Sequence, residues 1–282
     1  MTIEAYAKVN FTLEVLGRRT DGYHSLRSVV MPISLSDTVS VTLSDELTSD
    51  SGFADDLCIK AASALKRHAI LQNIQLPSKG ATIKIVKRIP VGGGLGGGSA
   101  DAAATLILLN EMWGLHFSRE TLAKIGAEVG SDVPALTLSG PVLMEGRGEK
   151  VAQIEGITKS YHLVLVNPGV FVSTPEVFKN CKSRMAQNEK ILYNIVSSLR
   201  EGDFLKVAEA LMNDLEEPAI RLHHEINSAA EILKSEGVTY VTMSGSGSTV
   251  FGLVSSRDES ERIAARLTER GLWAKAVCTI VR

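Results

Sequence analysis

The sequence predicts an α+β protein of two domains, and three observations carry that prediction. An alternating strand opens the chain at residues 5–15, and further strand-like segments follow it directly, as in an antiparallel sheet. A glycine-rich loop then leads into a helix apolar on nearly every side. After Ile157 the pattern restarts with strands and helices of its own, in a chain of 282 residues, about as long as a single core can grow.

Taken in order, Ala5, Ala7, Val9, Phe11, Leu13 and Val15 share one strand face, with Tyr6, Lys8, Asn10, Thr12 and Glu14 opposite. Gly17 to Gly22, closed by Asp21-Gly22, reads as a turn, and Leu26 to Leu43 as one or two further strands. Asp56 to Ile70 has helical spacing, with Leu57, Ala61, Ala64 and Leu65 on one side, and Ala81 to Ile89 alternates again. Ser99 to Asn110 forms the apolar helix. Ser118 caps another, carrying Leu122, Ile125 and Val129 before Gly130 stops it. Leu136 to Val142 and Glu149 to Ile154 finish a first domain of residues 1–156. The second, 157–282, holds a strand at His162 to Val166 and a helix opened by Thr174-Pro175. Two longer helices lie around residues 190 to 235, with strands near 238 to 254 and 273 to 281.

Bulk properties exclude several classes. The formal net charge is −2 and the 30 basic residues are scattered, so the footprint of a nucleic-acid binder is missing. No apolar run is long enough to span a membrane, and with Met1 only a few residues ahead of the first strand no signal or transit peptide is expected. Cys58, Cys181 and Cys278 are odd in number and far apart, which suits a reducing, cytoplasmic setting and suggests no zinc or redox pair.

The most specific segment runs from Pro90 to Asp101, with six glycines in seven positions between a strand and a buried helix. Glycines are needed where backbone N–H groups turn inward together and approach an anion. The helix adds its own unpaired N–H groups and the positive end of its dipole. A Walker A loop would end in Gly-Lys-Ser/Thr, and no lysine precedes Ser99. Gly92, Gly94 and Gly97 satisfy the dinucleotide pattern, but the acidic residue expected about 20 positions on would be Glu111, at the end of the same helix. Polyphosphate binding is therefore the leading reading and a nicotinamide site the competitor.

Lys8 and Asn10 share the polar side of the first strand, where a lysine between core-facing Ala7 and Val9 faces a cleft. In Gly130-Ser-Asp-Val-Pro134, Asp132 follows a helix stop, where it either caps the next turn or serves as a base. Phosphoryl transfer calls for such a carboxylate to receive a hydroxyl proton and for a cation to offset charge. Magnesium is expected on the nucleotide, with Ser99 the nearest protein hydroxyl and no all-protein metal site.

Three segments together resemble the GHMP kinase superfamily: Ala7-Lys-Val-Asn10, the loop Pro90 to Ala104, and Met243-Ser-Gly-Ser-Gly-Ser-Thr-Val250. The likeness is greatest to members acting on a cytidine-diphosphate ester of methylerythritol. Their markers are Arg18-Arg-Thr-Asp-Gly-Tyr-His-Ser-Leu26, Gly130 to Pro134, Thr174-Pro-Glu-Val-Phe178 and Asn213-Asp-Leu-Glu216. The resemblance implies a ribosomal protein S5 domain 2-like N-terminal domain, a ferredoxin-like C-terminal domain, and ATP as co-substrate. It implies transfer of the γ-phosphoryl group to the 2-hydroxyl of that ester, a step of non-mevalonate isoprenoid synthesis. By the same pattern Lys8 and Asp132 are catalytic. Pro90, Val91, Gly92, Gly93, Gly94, Leu95, Gly96, Gly97, Gly98, Ser99 and Ala100 hold ATP. Asn10 and Thr174 help hold the acceptor, His24 reads the cytosine, and Tyr23 and Phe178 sandwich it. The expected partners are small molecules alone, with no nucleic acid or membrane, for a monomer or weak homodimer. Asp56 departs from the asparagine usual beside the adenine pocket, and His223 from a proline often found after Glu216. Other kinases of the superfamily, such as homoserine or mevalonate kinase, share the loop but lack the Tyr23, His24 and Phe178 set. A non-catalytic nucleotide-binding module would have lost Lys8 or Asp132.

Overall fold

Two long strands, β1 (Thr2–Arg18) and β2 (His24–Ser44), pair antiparallel over almost their whole length and form the spine of the first sheet. The structure, a computed structural model, describes residues 1–182 and 189–281. The segment expected as one or two strands is thus a single strand, because both of its neighbours continue: β4 pairs its second half and β5 its first. The alternation in β1 reads correctly, but both faces are buried. Its polar row of Lys8, Asn10, Thr12 and Glu14 is 3% exposed or less. Register shifts between Tyr6 and Lys8 and between Asn10 and Thr12 bracket the two residues of interest; such bulges re-aim side chains locally.

In chain order there follow β3 (Thr48–Ser49), α1 (Leu57–Leu71), β4 (Gly80–Val86), α2 (Gly97–Met112), α3 (Arg119–Gly126), α4 (Val133–Leu138), β5 (Val142–Gly146) and β6 (Lys150–Gln153). The sheet runs β3-β4-β2-β1, with β5 beside the other end of β2 and β6 beside β5. Asp56 caps α1 by accepting from the N–H groups of Cys58 and Ile59, and Ser118 caps α3 through Thr121. Helix α3 stops at Gly126, a turn before the expected Gly130, and part of the segment expected to close the domain is α4. Helix α2 is buried through Ala100 to Leu106 without a break. Its all-round apolarity reflects its place between β1, β2 and α1, α3 and α4.

The second half contributes β7 (His162–Asn167), α5 (Thr174–Asn180), α6 (Glu189–Glu201), α7 (Phe204–Glu209), β8 (Met212–Asn213), α8 (Glu216–Leu222), α9 (His224–Ser235), β9 (Val241–Met243), β10 (Val250–Val254), α10 (Arg257–Glu269) and β11 (Trp273–Cys278). Four strands form an antiparallel sheet ordered β11-β7-β10-β9, with α9 between β7 and β9 and α10 between β10 and β11 in sequence. This is the ferredoxin-like arrangement expected. Where two long helices were expected the chain makes four shorter ones, interrupted by β8, which pairs with β1 in the first sheet. Helix α10 was not anticipated. Only Ser260, Ile263, Ala264 and Leu267 of it are buried among many charges, although Ser256 and Glu259 carry a capping signature at its start. Phe11, fully buried, meets Tyr161 edge-on and stacks on Phe251, joining the two sheets; burying such a ring contributes roughly 1.5–3 kcal/mol. No helix among the described residues is long and apolar enough to cross a membrane.

Candidate active site

The glycine loop is pressed against the turn that joins β9 and β10. Gly94 has φ +75°, and a Cβ there would stand 2.1 Å from the carbonyl oxygen of Ser244. The N–H of Thr249 donates to the Gly93 carbonyl, and Ser244 Oγ to that of Gly94. Met243 to Val250 is thus both a hairpin connection and a close backbone approach to the loop. Gly96 occupies the N-cap of α2 at φ +70° and has no side chain with which to cap it. The first-turn N–H groups of a 16-residue helix consequently face the cavity beside the loop.

That cavity, of about 1290 Å³, runs from the loop to Tyr23 and His24. Of the residues expected to hold ATP, Pro90 to Gly94 and Gly96 to Ser99 line it. Leu95 and Ala100 do not, since their side chains are packed in the core at 1% and 2% exposure. Leu95 instead accepts the backbone N–H of Lys8 and ties the loop to β1.

Lys8 lies where both glycine turns meet β1. Its stem passes Gly96, and its ammonium is 3.2 Å from the place of a Cβ on Gly245. Lys8 Nζ donates to Asn10 Oδ1 (2.7 Å) and stands 3.4 Å from Asp132 Oδ2. Asn10 Nδ2 donates to Ser28 Oγ, which leaves one amide hydrogen for a ligand. Asp132 occupies the N-cap position of α4 but makes no capping bond, so the structural role open to it is not taken up. Its carboxylate is 29% exposed and opens onto the cavity.

At the far end His24 stacks on Phe178, with ring centroids 5.3 Å apart. Burial, and then the charge of Arg18, push the His24 imidazole below its ordinary range. At neutral pH it therefore offers one donor and one acceptor nitrogen. Tyr23 is 55% exposed, with the Arg147 guanidinium over its ring at 5.5 Å. Thr174 Oγ1 meets Ser246 Oγ at 2.8 Å, linking α5 to the second glycine turn. Tyr23, His24, Thr174 and Phe178 all line the cavity with Lys8, Asn10 and Asp132.

Sequence reasoning missed a charge cluster behind the loop, in which two buried carboxylates meet a partly exposed lysine. Lys87 Nζ bridges Asp37 Oδ2 (2.5 Å) and Asp101 Oδ2 (2.7 Å), while Asp37 also accepts from the N–H groups of Arg88 and Ile89. Burial raises Asp101 to about 6, Lys87 opposes the rise and the like charge of Asp37 adds to it. In sequence Lys87 reads as the charged end of a strand, and only the return of β2 past α2 brings the three together. The Asn213 to Glu216 segment acts as a clasp. Asn213 Nδ2 donates to the carbonyls of Met243 and Gly245, Asp214 accepts from the N–H of Val15, and Glu216 accepts from Thr242 and Met243. Asp56 spends its carboxylate on the α1 cap and on Ser51 Oγ, although it too borders the cavity. His223 lies between α8 and α9. Among the described residues no three His, Cys, Asp or Glu side chains group as a metal cage.

Residues 56–140 match the GHMP kinases N terminal domain, and residues 195–271 the GHMP kinases C terminal domain. A 4-diphosphocytidyl-2-C-methyl-D-erythritol kinase of Brevibacillus brevis is 38% identical over 93% of this chain and 90% of its own length. Another, of Citrifermentans bemidjiense, is 39% identical over 98% of each chain. A crystal structure of 4-(cytidine 5'-diphospho)-2C-methyl-D-erythritol kinase superposes with a TM-score of 0.82 at 32% identity, covering 99% of each chain.

Proposed function

The chain belongs to the GHMP kinases, in the family of the 4-diphosphocytidyl-2-C-methyl-D-erythritol kinases, and from that membership we propose that it transfers the γ-phosphoryl group of ATP to the 2-hydroxyl of 4-diphosphocytidyl-2-C-methyl-D-erythritol, giving the 2-phosphate and ADP. The step serves non-mevalonate synthesis of isoprenoid precursors. The observation that carries this reading is the 3.4 Å approach of Lys8 to Asp132 between a backbone cradle for polyphosphate and an aromatic recess.

The acceptor hydroxyl lies at Asp132, which takes its proton as the new O–P bond forms and the bond to the leaving ADP oxygen breaks. The Lys8 ammonium, fixed by Asn10 Oδ1, offsets negative charge on the transferring group. The loop and the first turn of α2 hold the phosphates in line through N–H groups. Magnesium, when bound with the nucleotide, neutralises β- and γ-phosphate charge. The residues fit an ion carried largely by its nucleotide: Ser99 Oγ lies on the Gly130 side of the loop, in the wall of the cavity. The cytosine stacks in the Tyr23 and Phe178 recess, and the neutral His24 matches its donor and acceptor edge. Residues 1–156 carry the ATP half and 157–282 close the site, in a cytoplasmic monomer or weak homodimer acting on small molecules.

ADP release from magnesium-ATP with the cytidyl ester, run beside homoserine, mevalonate and galactose, tests the reading. Turnover with the ester alone is expected. Turnover of another acceptor in its place, or silence with all four from a protein that still binds ATP, overturns the acceptor assignment.

A further inference from the structure

Five cationic side chains line the cavity, namely Lys8, Arg18, Lys87, Arg147 and Lys179. Two are committed: Lys8 to Asn10 and Asp132, and Lys87 to Asp37 and Asp101. The other three have no ion-pair partner among the described residues, and all three lie at the aromatic end. Arg18 pairs with His24 across the β1–β2 ribbon, Lys179 follows Phe178 on α5, and Arg147 stands over Tyr23. Two carboxylates come close, and both are occupied. Asp21 accepts from Arg19 and from the N–H of Tyr23, and Glu149 accepts from the N–H of Arg147 and pairs with Arg19 at 3.9 Å.

The Glu149 contact also anchors the Arg147 backbone. The carboxylate fills the space beside Gly146, where a Cβ would meet it at 2.6 Å, and closes the β5–β6 turn under the Arg147 backbone. The half-buried guanidinium is left facing the cavity over the Tyr23 ring. Arg147 lowers the nearby Asp21 and Glu149 carboxyls by its charge but forms no ion pair with either, and cations held so beside an aromatic recess are the complement of a nucleoside carrying phosphates. At the loop, by contrast, backbone N–H groups face the anion and the lysines are already paired.

We propose that Arg147, supported by Arg18 and Lys179, holds the diphosphate of the cytidyl substrate and so selects a nucleoside diphosphate ester over an uncharged nucleoside. This rests on the acceptor assignment above, since the diphosphate joins the cytidine in the aromatic recess to the hydroxyl at Asp132.

Calorimetric binding of CDP and of cytidine to the full chain and to Arg147→Gln and Arg147→Lys tests it, alongside turnover of the ester. Loss of a charge-assisted contact predicts that Arg147→Gln weakens CDP by roughly tenfold or more and leaves cytidine within about twofold. Arg147→Lys retains most of the preference, and added salt erodes it in the parent. Equal weakening of both ligands by Arg147→Gln overturns the proposal, because Arg147 would then act only by steadying Tyr23. No weakening of CDP overturns it outright. Failure of the parent to turn over the ester overturns the underlying assignment instead, and the two failures are distinguished because CDP binding is read without turnover.

Discussion

The two ends of the cavity meet negative charge in opposite ways. At the glycine end the lysines are already paired, Lys8 at 3% exposure with Asp132 and the 26% exposed Lys87 with two carboxylates, and in the reaction proposed the phosphates are left to backbone N–H groups. At the aromatic end Arg18 and Lys179 are exposed and, with Arg147, form no ion pair among the described residues, although the charge of Arg147 is felt by Asp21 and Glu149. The difference follows from what each end must do. Reacting groups have to be fixed before the substrate arrives, and a pre-paired lysine is fixed. A recognition rim gains more from charges that become committed only when the ligand is present.

The largest effect is expected where that fixity is chemical. Asp132→Asn keeps the shape of the α4 turn and removes the proposed proton acceptor, so turnover should fall by a factor on the order of 10² to 10⁴ with ATP affinity little changed. Single-turnover rates at saturating ATP check this, and a near-parental rate removes Asp132 from the chemistry. Gly94→Ala attacks the same end through the backbone. Its φ of +75° and a 2.1 Å clash with a backbone carbonyl leave no room for a methyl group. A loss of ATP affinity of about tenfold or more is expected, together with on the order of 1–3 kcal/mol of stability. Unchanged ATP titrations would show that the loop does not depend on its packing against Ser244.

This glycine end was the legible part of the sequence. Backbone cradles advertise themselves through glycine, and the strand, loop and helix are contiguous, so Pro90 to Ser99 could be read without any tertiary knowledge. The alternation of β1 likewise exposed Lys8 and Asn10 as a pair, though not that both faces of the strand are covered. What stayed hidden depends on distant segments. Arg147 reads as an ordinary hairpin charge until β5 lies beside β2 and brings it over Tyr23. The Lys87 cluster needs residues 37, 87 and 101 together. Asn213 to Glu216 shows its clasping role only against a turn about 30 residues later. Helix α10 was missed because a narrow buried stripe among many charges gives a weak periodic signal.

His24→Ala probes the recognition end with a smaller expected effect. One hydrogen-bonding ring and its stack on Phe178 are removed, so KM for the cytidyl ester should rise about five- to tenfold while KM for ATP holds. A KM for the ester that does not move assigns the cytosine edge to other groups. A change in both constants would mean that the two ends are mechanically coupled, which the contrast between them does not predict.

Asp101 gives the smallest and most conditional effect, and it tests whether pre-pairing carries a cost. Its carboxyl is raised from an ordinary 3.8 to about 6, first by burial and further by Asp37, with Lys87 opposing. The folded protein therefore holds this proton more tightly than the unfolded chain. The group's contribution favours the fold fully below about pH 3.8 and is lost as pH rises through about 6. Above that it is a constant burden of up to about 3 kcal/mol. Asp101→Asn removes the titration and leaves the Lys87–Asp37 pair in place. The variant should be at least as stable as the parent at pH 7.5, with that advantage shrinking between pH 6 and pH 4 in urea unfolding. A variant destabilised equally at pH 7.5 and pH 4.5 would mean that Asp101 is needed as an anchor for Lys87 at every pH. The paired lysine would then require both carboxylates, and the fixity of the glycine end would rest on the whole cluster.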